Sequence, residues 1–328
     1  MTADELKSTL KSCLENKDKM GICLYALLRG DAPGPFKLDI ESDAENGLRD
    51  LFLQSLKDEV CGKEELSLLS LSSADERINA IYIYDLDIPD ELATLEQVTS
   101  QDNLPLLDLN ANSLSSIKAL LIEIGNESEQ LVLYKTMAPV NVFGRSSFFL
   151  KKHESRLKKL NDEFLRISPG FQMMRVGGKL LVLKLEVLEQ NFGFHDVIRR
   201  EARLGVDSIV SSGILVNPEV LNEIIDDVKY ARRLTKVSKA SPVLMANISG
   251  DVIVQFCKNF PGLAKRIRFN KEGNKIILDT KVSKDLFIKV LMDDFLTSEL
   301  TKFHYASVAK DALEFDMKKS SLDRKSVV

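Results

Sequence analysis

The sequence predicts an α+β protein of two domains, the second built from antiparallel hairpins followed by helices. Strand-like apolar runs lead that second half and helix-periodic runs close it, an order that points away from alternating βαβ units. The turn segments NESEQ at 126–130 and Gly177-Gly178 each join two apolar runs, as hairpins require. A chain of 328 residues is also longer than one core usually holds.

In order along the chain, Leu6, Leu10 and Leu14 repeat at four-residue spacing behind Thr2, which predicts a capped helix over 2–19. A strand over 22–29 follows, and DAPGP at 31–35 turns the chain into an extended piece around Phe36–Ile40. Ser42 with Glu45 reads as a capping box opening a helix to Lys57, with Leu48, Leu51, Phe52 and Leu56 on one face. INAIYIYDL at 78–86 is nearly all apolar, the mark of a strand covered on both faces. The polar, turn-rich DLNANSLSS at 108–116 sets the expected boundary between domains 1–110 and 111–316, with a flexible tail over 317–328.

Within the second domain, SIKALLIEIG and LVLYKTM form one expected hairpin, and FQMMRV and KLLVLKLEVL another, with the two glycines supplying a type I′ turn. SFFLKKHESRLKKLNDEFLRI between them fits strand or helix. Helices are expected over 192–211, 218–239, 249–258 and 283–295, with a small hairpin in RIRFNKEGNKIILD. Asn217 and Pro218 are a good cap and first-turn pair for the second of these.

The chain carries 45 Lys and Arg against 49 Asp and Glu, net -4, but unevenly. Residues 1–110 hold 10 basic and 23 acidic residues, and 111–328 hold 35 and 26. An acidic first half beside a basic second half points to a polyanion partner.

Several chemistries find no support. Cys13, Cys23, Cys61 and Cys257 are scattered, as are His153, His195 and His304, so no zinc-type spacing occurs, and the thiols fit a reducing compartment. Neither phosphate-loop pattern is present, nor a G-x-S-x-G elbow. The polar N-terminus does not read as a signal peptide, and runs such as GICLYALL fall far short of the ~20 residues of a membrane span. A metal-dependent nuclease could draw on Glu186 and Glu189, beside Lys184 on an expected strand, with Asp226 and Asp227, although alternating charges on a strand are usually a solvated face. No catalytic residue, cofactor or metal is therefore expected.

Four basic clusters stand out instead. Lys229, Arg232, Arg233, Lys236 and Lys239 lie in KYARRLTKVSK, five cations in eleven residues, spaced to share one helix face. Acidic residues in the first half of that helix and basic ones in the second would also arise from the helix dipole alone. The second cluster is Lys151, Lys152, Arg156, Lys158 and Lys159, the third Arg199, Arg200 and Arg203. The fourth, Lys265, Arg266, Arg268 and Lys271, flanks Pro261-Gly262 in a loop. Cations of this kind bind duplex DNA by releasing its condensed counterions and carry little base information. The absence of Trp, with only Tyr230 and Phe269 near the basic runs, argues against stacking on single strands. A basic surface meeting an acidic protein or anionic lipid headgroups is the remaining alternative.

LLIEIGNESEQLVLYKTMAPV, FQMMRVGGKLLVLKLEVLEQNFGFHDVIRREA, DLFIKVLMDDFLTSELT and FHYASVAK resemble the KwaB-like family of the Kiwa antiphage defence system, over residues 115–312. The resemblance implies a cytoplasmic protein that forms a homodimer or higher oligomer. It also implies association with the membrane protein KwaA and binding of phage DNA, so that replication and transcription are blocked. It does not imply a known catalytic activity, and it leaves the acidic first half for subunit or partner contacts, away from the DNA face.

Overall fold

A computed structural model describes residues 1–30, 34–72, 78–100, 103–126, 129–138, 142–143, 149–160, 164–190 and 192–307. The chain divides into two compact units, Met1–Val197 and Ile198–Val328.

Unit one opens with helix α1 (Ala3–Glu15), where Thr2 and Glu5 form a capping box. Strand β1 (Gly21–Leu28) and the short β2 (Phe36–Lys37) precede α2 (Ser42–Leu56), which runs on into a π-helical turn over Lys57–Cys61. The expected Ser42–Glu45 capping box does not form. The carbonyl of Glu41 already accepts from the amides of Ala44 and Glu45, so the helix starts one residue early and Ser42 lies inside it. Strands β3 (Ser67–Ser70) and β4 (Ala80–Ile83) and helix α3 (Asp90–Ser100) complete the first part.

Next come β5 (Ile117–Gly125), β6 (Gln130–Thr136), β7 (Val142–Phe143), β8 (Phe149–His153), β9 (Arg156–Leu160), β10 (Phe164–Leu165), β11 (Met173–Val176), β12 (Lys179–Val182) and helix α4 (Glu186–Gln190). Eight of these strands form one sheet in the order β2-β1-β5-β6-β11-β12-β4-β3, antiparallel except for the β3–β4 pair. The expected boundary at 110/111 falls inside this sheet, because β1 pairs with β5 and β4 with β12. Apolar strand faces on either side of that loop bury one another, and a polar connecting segment does not reveal this. Both expected hairpins are present, and Gly177 and Gly178, at φ +54° and +71°, supply the two positive values their turn needs. The second hairpin is shorter than expected, since the chain leaves the strand after Val182 and residues 186–190 are helical.

The sheet is covered on both faces. Leu6, Leu10, Phe52 and Leu56 from α1 and α2 pack with Leu120, Ile122, Leu133, Met174 and Leu181 on one side. On the other, Glu91 of α3 is bonded by Tyr134 Oη at 3.1 Å and by Lys118 Nζ at 2.8 Å. This double cover accounts for the nearly unbroken apolar runs of β4 and β5.

Lys135 of β6 is 4% exposed, and its ammonium donates to Ser168 Oγ at 2.9 Å and to the carbonyl of Gly170 at 2.5 Å. Burial, with Lys184 nearby, lowers its pKa from 10.5 to about 8. Between those values the unfolded chain binds more protons than the folded one. The cost of burying the charge is therefore fully present below pH 8 and is relieved as pH rises towards 10.5. Raising the pH from 7 to 9 should stabilise unit one by about 1 kcal/mol relative to a Lys135→Met variant. Urea unfolding of both proteins at the two pH values checks this, and parallel pH responses would overturn it.

Unit two takes in most of α5 (Phe194–Ser211), then α6 (Glu219–Ile224), α7 (Val228–Ala240), α8 (Pro242–Met245) and α9 (Gly250–Asn259). The small hairpin β13 (Arg268–Phe269) and β14 (Ile276–Ile277), helix α10 (Lys281–Leu291), and strands β15 (Phe295–Thr297) and β16 (His304–Ala306) follow. The single helix expected over 218–239 is two helices. Asp227 caps α7 by accepting from the amide of Lys229 at 2.9 Å, which interrupts the helix between Ile224 and Val228. Asn217 does not cap α6 with its side chain, which exchanges hydrogen bonds with the backbone of Leu278 at 3.0 and 3.1 Å. Helix α10 ends at Leu291, so the last residues expected to be helical turn into β15. Segment 317–328, expected to be a flexible tail, lies outside the described residues. Among them no single helix is long and apolar enough to cross a membrane.

Candidate nucleic-acid interface

The division at 197/198 keeps the charge asymmetry seen in the sequence. Unit one carries 22 basic and 32 acidic residues, and unit two 23 and 17, net -10 and +6. Three of the four basic clusters lie in unit two.

Two of these share a packed helix pair. Helix α5 presents Ala202, Val206 and Ile209 to the interior, and α7 presents Tyr230, Ala231, Leu234 and Val237. Their backbones approach closely at Gly205, where a Cβ would stand 2.6 Å from the carbonyl oxygen of Leu234. Thr235 Oγ1 on α7 donates to the carbonyl of Ile198 at 3.1 Å. Arg200, Arg203 and Lys229 are exposed on this pair, while Arg199, Arg232 and Lys236 are half-buried.

Arg233, Lys239 and Arg268, all predicted contacts, are engaged with carboxylates. Arg233 forms an ion pair with Asp285 of α10, donates to the carbonyl of the same residue at 3.2 Å, and lies 5.9 Å from the ring of Tyr230. Burial, then Asp285, pushes the Tyr230 phenol above its usual range. Lys239 pairs with Glu201 at 2.8 Å, and Arg268 with Asp279 at 2.7 Å. Arg199 donates to the carbonyl of Asp226 at 3.3 Å. The helix face predicted from spacing therefore divides, with Arg233 and Lys239 binding neighbouring helices and Lys229 left exposed.

The fourth cluster sits at the β13–β14 hairpin, anchored where β14 bridges Leu215 after α5. Lys265, Arg266 and Lys271 are exposed there. Helix α10 adds three cations from outside the four clusters, Lys281, Lys284 and Lys289, on the helix that the Arg233–Asp285 pair ties to α7. Only Lys284 and Lys289 of these fall within the helix expected over 283–295.

The remaining cluster lies in unit one, on a separate two-stranded ribbon formed by β8 and β9. Position 151 pairs with 158, 152 with 157, 153 with 156, and 150 with 159. The register thus sets two lysine positions, 151 and 158, opposite each other in the ribbon. Lys152, Arg156 and Lys158 are exposed, and Glu154 turns the ribbon at φ +53°.

The carboxylates considered for a nuclease are arranged differently from the expectation. Glu186 and Glu189 lie on α4, not on a strand, and Asp227 is the cap of α7. Among the described residues no group of three or more His, Cys, Asp or Glu could hold a metal ion. All four cysteines are free, and burial pushes the thiols of Cys13 and Cys257 up to about 11 and 12.

A model of the Kiwa protein KwaB-like family matches residues 114–301. The chain belongs to the KwaB-like family. A KwaB-like chain of this kind is a Kiwa antiphage defence protein. It is 29% identical over 324 residues to the Kiwa protein KwaB of Escherichia coli O55:H7 (strain RM12579 / EPEC), covering 96% of this chain and 100% of that relative. The similarity thus extends into the acidic first half. The KwaB-like region starts at the loop before β5 and runs to the turn after β15, taking in strands of the sheet and the basic helices alike. No solved structure matches the chain.

Proposed function

We propose that this KwaB-like protein binds double-stranded DNA through backbone contacts without sequence specificity, and acts with the membrane protein KwaA to block phage replication and transcription. The observation that carries the reading is the set of exposed cations in unit two. Arg200, Arg203 and Lys229 on the α5–α7 pair, with Lys265, Arg266 and Lys271 at the hairpin, belong to a unit of net charge +6. Such a surface attracts phosphates by charge and counterion release and reads little sequence. The β8–β9 ribbon supplies further cations of the same kind. In this reading the protein acts by binding and not by catalysis, works as a homodimer or higher oligomer, and reaches the inner face of the membrane through its partner.

Anisotropy of a labelled 40-base-pair duplex across a salt series tests the proposal. Log affinity should fall linearly with log salt, and Arg203→Glu with Lys229→Glu should reduce the slope by roughly one for each phosphate that is no longer neutralised. An unrelated duplex sequence should bind within about threefold. No binding at low salt would overturn the reading and turn attention to an acidic protein or anionic lipid as the partner of unit two. Supercoiled plasmid incubated with Mg²⁺ or Mn²⁺ should stay intact, and nicking would replace the binding role by a nuclease.

A further inference from the structure

The β8–β9 ribbon is a sheet of its own, separate from the eight-stranded sheet. Residues 149–160 hold five cations and a single acid, Glu154. Where these charges fall follows from the register. Position 153 pairs with 156, so Glu154 and Ser155 form a two-residue turn at the tip. Lys152 lies directly opposite Leu157 and shares its face, while Arg156 and Lys158, one step to either side of Leu157, point to the other face. All four side chains are exposed.

Cations on both faces decide how the ribbon can meet duplex DNA. Laid across a row of phosphates, it would use one face and leave the other idle. A groove offers phosphates on two sides. The major groove of B-form DNA is about 12 Å wide and admits a two-stranded ribbon, whereas the minor groove, at about 6 Å, is too narrow. A ribbon with side chains on both faces is about 10 Å thick, the spacing of stacked sheets, so it fits between the major-groove walls. The one acid falls where that placement needs it. Phosphates would repel Glu154, but the groove floor presents the amino groups of cytosine and adenine, which are donors. Every base pair carries one such amino group, so this contact selects no sequence.

We propose that the β8–β9 ribbon enters the major groove of duplex DNA tip first, with Lys152 on one phosphate wall, Arg156 and Lys158 on the other, and Glu154 at the floor. The placement rests on the duplex reading and adds the groove to it. Two labelled duplexes of one sequence test it by anisotropy, one unmodified and one with every cytosine replaced by glucosylated 5-hydroxymethylcytosine, whose sugars fill the major groove. The full chain should bind the glucosylated duplex at least about tenfold more weakly, because the wall contacts are lost together. Netropsin, which fills the minor groove, should change affinity by less than about threefold. Lys152→Ser with Arg156→Ser and Lys158→Ser, all at exposed positions, should weaken binding to the unmodified duplex and bring the two duplexes within about threefold of each other. Equal affinity of the full chain for both duplexes, a larger loss with netropsin than with glucosylation, or discrimination kept by the triple variant would overturn the proposal. Absence of binding to either duplex at low salt would instead remove the duplex reading itself, and the ribbon's placement with it.

Discussion

Replacing Lys239 by Met is expected to destabilise unit two by about 2–3 kcal/mol, far more than a surface cation usually contributes. The reason lies in its partner. Glu201 is 6% exposed on α5, and Lys239 Nζ stands 2.8 Å from its carboxylate. Removing the ammonium leaves a buried negative charge without compensation. Fully buried pairs lose about 3–5 kcal/mol in that situation, and the lower figure here reflects the partial exposure of Lys239 itself. The double variant Lys239→Met with Glu201→Leu should recover most of the loss, because two apolar groups of similar volume do not need each other. Denaturant unfolding of the single and double variants measures both. Equal stability of Lys239→Met and the parent would show that the pair is not coupled, and would return Lys239 to the set of cations open to DNA. If the pair is coupled, weaker DNA binding by a Lys239 variant reports damage to α5 and α7, and not a phosphate that Lys239 itself held.

This distinction was out of reach of the sequence for a physical reason. Charge counting along KYARRLTKVSK sees neighbours within a turn or two, whereas the carboxylates that meet Arg233 and Lys239 come from Asp285 and Glu201 on other helices. Helical spacing puts Lys229, Arg232, Arg233 and Lys236 on one exposed face, and of these Lys229 is exposed while the other three are half-buried.

The elements followed the same logic. Strands β4 and β5 were legible because burial on both faces writes itself as an unbroken apolar run, and Gly177-Gly178 because a type I′ turn demands positive φ at both positions. The ribbon over 149–160 was not, since paired cations replace apolar alternation and leave no period to read. The break between α6 and α7 was hidden by a stripe, Leu221, Ile224, Ile225, Val228, Ala231 and Leu234, that keeps its spacing across the interruption. Asp227 looked like one more acid at a helix start, but its carboxylate caps a new helix. The sheet order crossing residue 110 had no local signature, because strand partners are chosen by the whole apolar surface and not by the loop between them.

Gly205→Val should be the most disruptive single change in the α5–α7 pair, costing about 3 kcal/mol or more, and Gly205→Ala should cost about 1–2 kcal/mol. Helix propensity predicts the opposite sign for alanine, which favours a helix interior over glycine by about 1 kcal/mol. Packing decides the outcome here. A Cβ at 205 would stand 2.6 Å from the carbonyl oxygen of Leu234 and 3.0 Å from Ser238 Cβ, and the first of these is backbone that cannot rotate away. The helices would have to separate, which weakens the Thr235–Ile198 hydrogen bond and the Lys239–Glu201 pair at the same time. Gly47 on α2 provides the control, since a Cβ there meets nothing within 4 Å and Gly47→Ala should gain up to about 1 kcal/mol. Amide hydrogen exchange locates each effect: faster exchange confined to α5 and α7 in Gly205→Ala, and slower exchange in α2 of Gly47→Ala. If both alanines stabilise, the helices are farther apart than described, and the exposed cations of α5 and α7 would no longer be held as one surface for a polyanion.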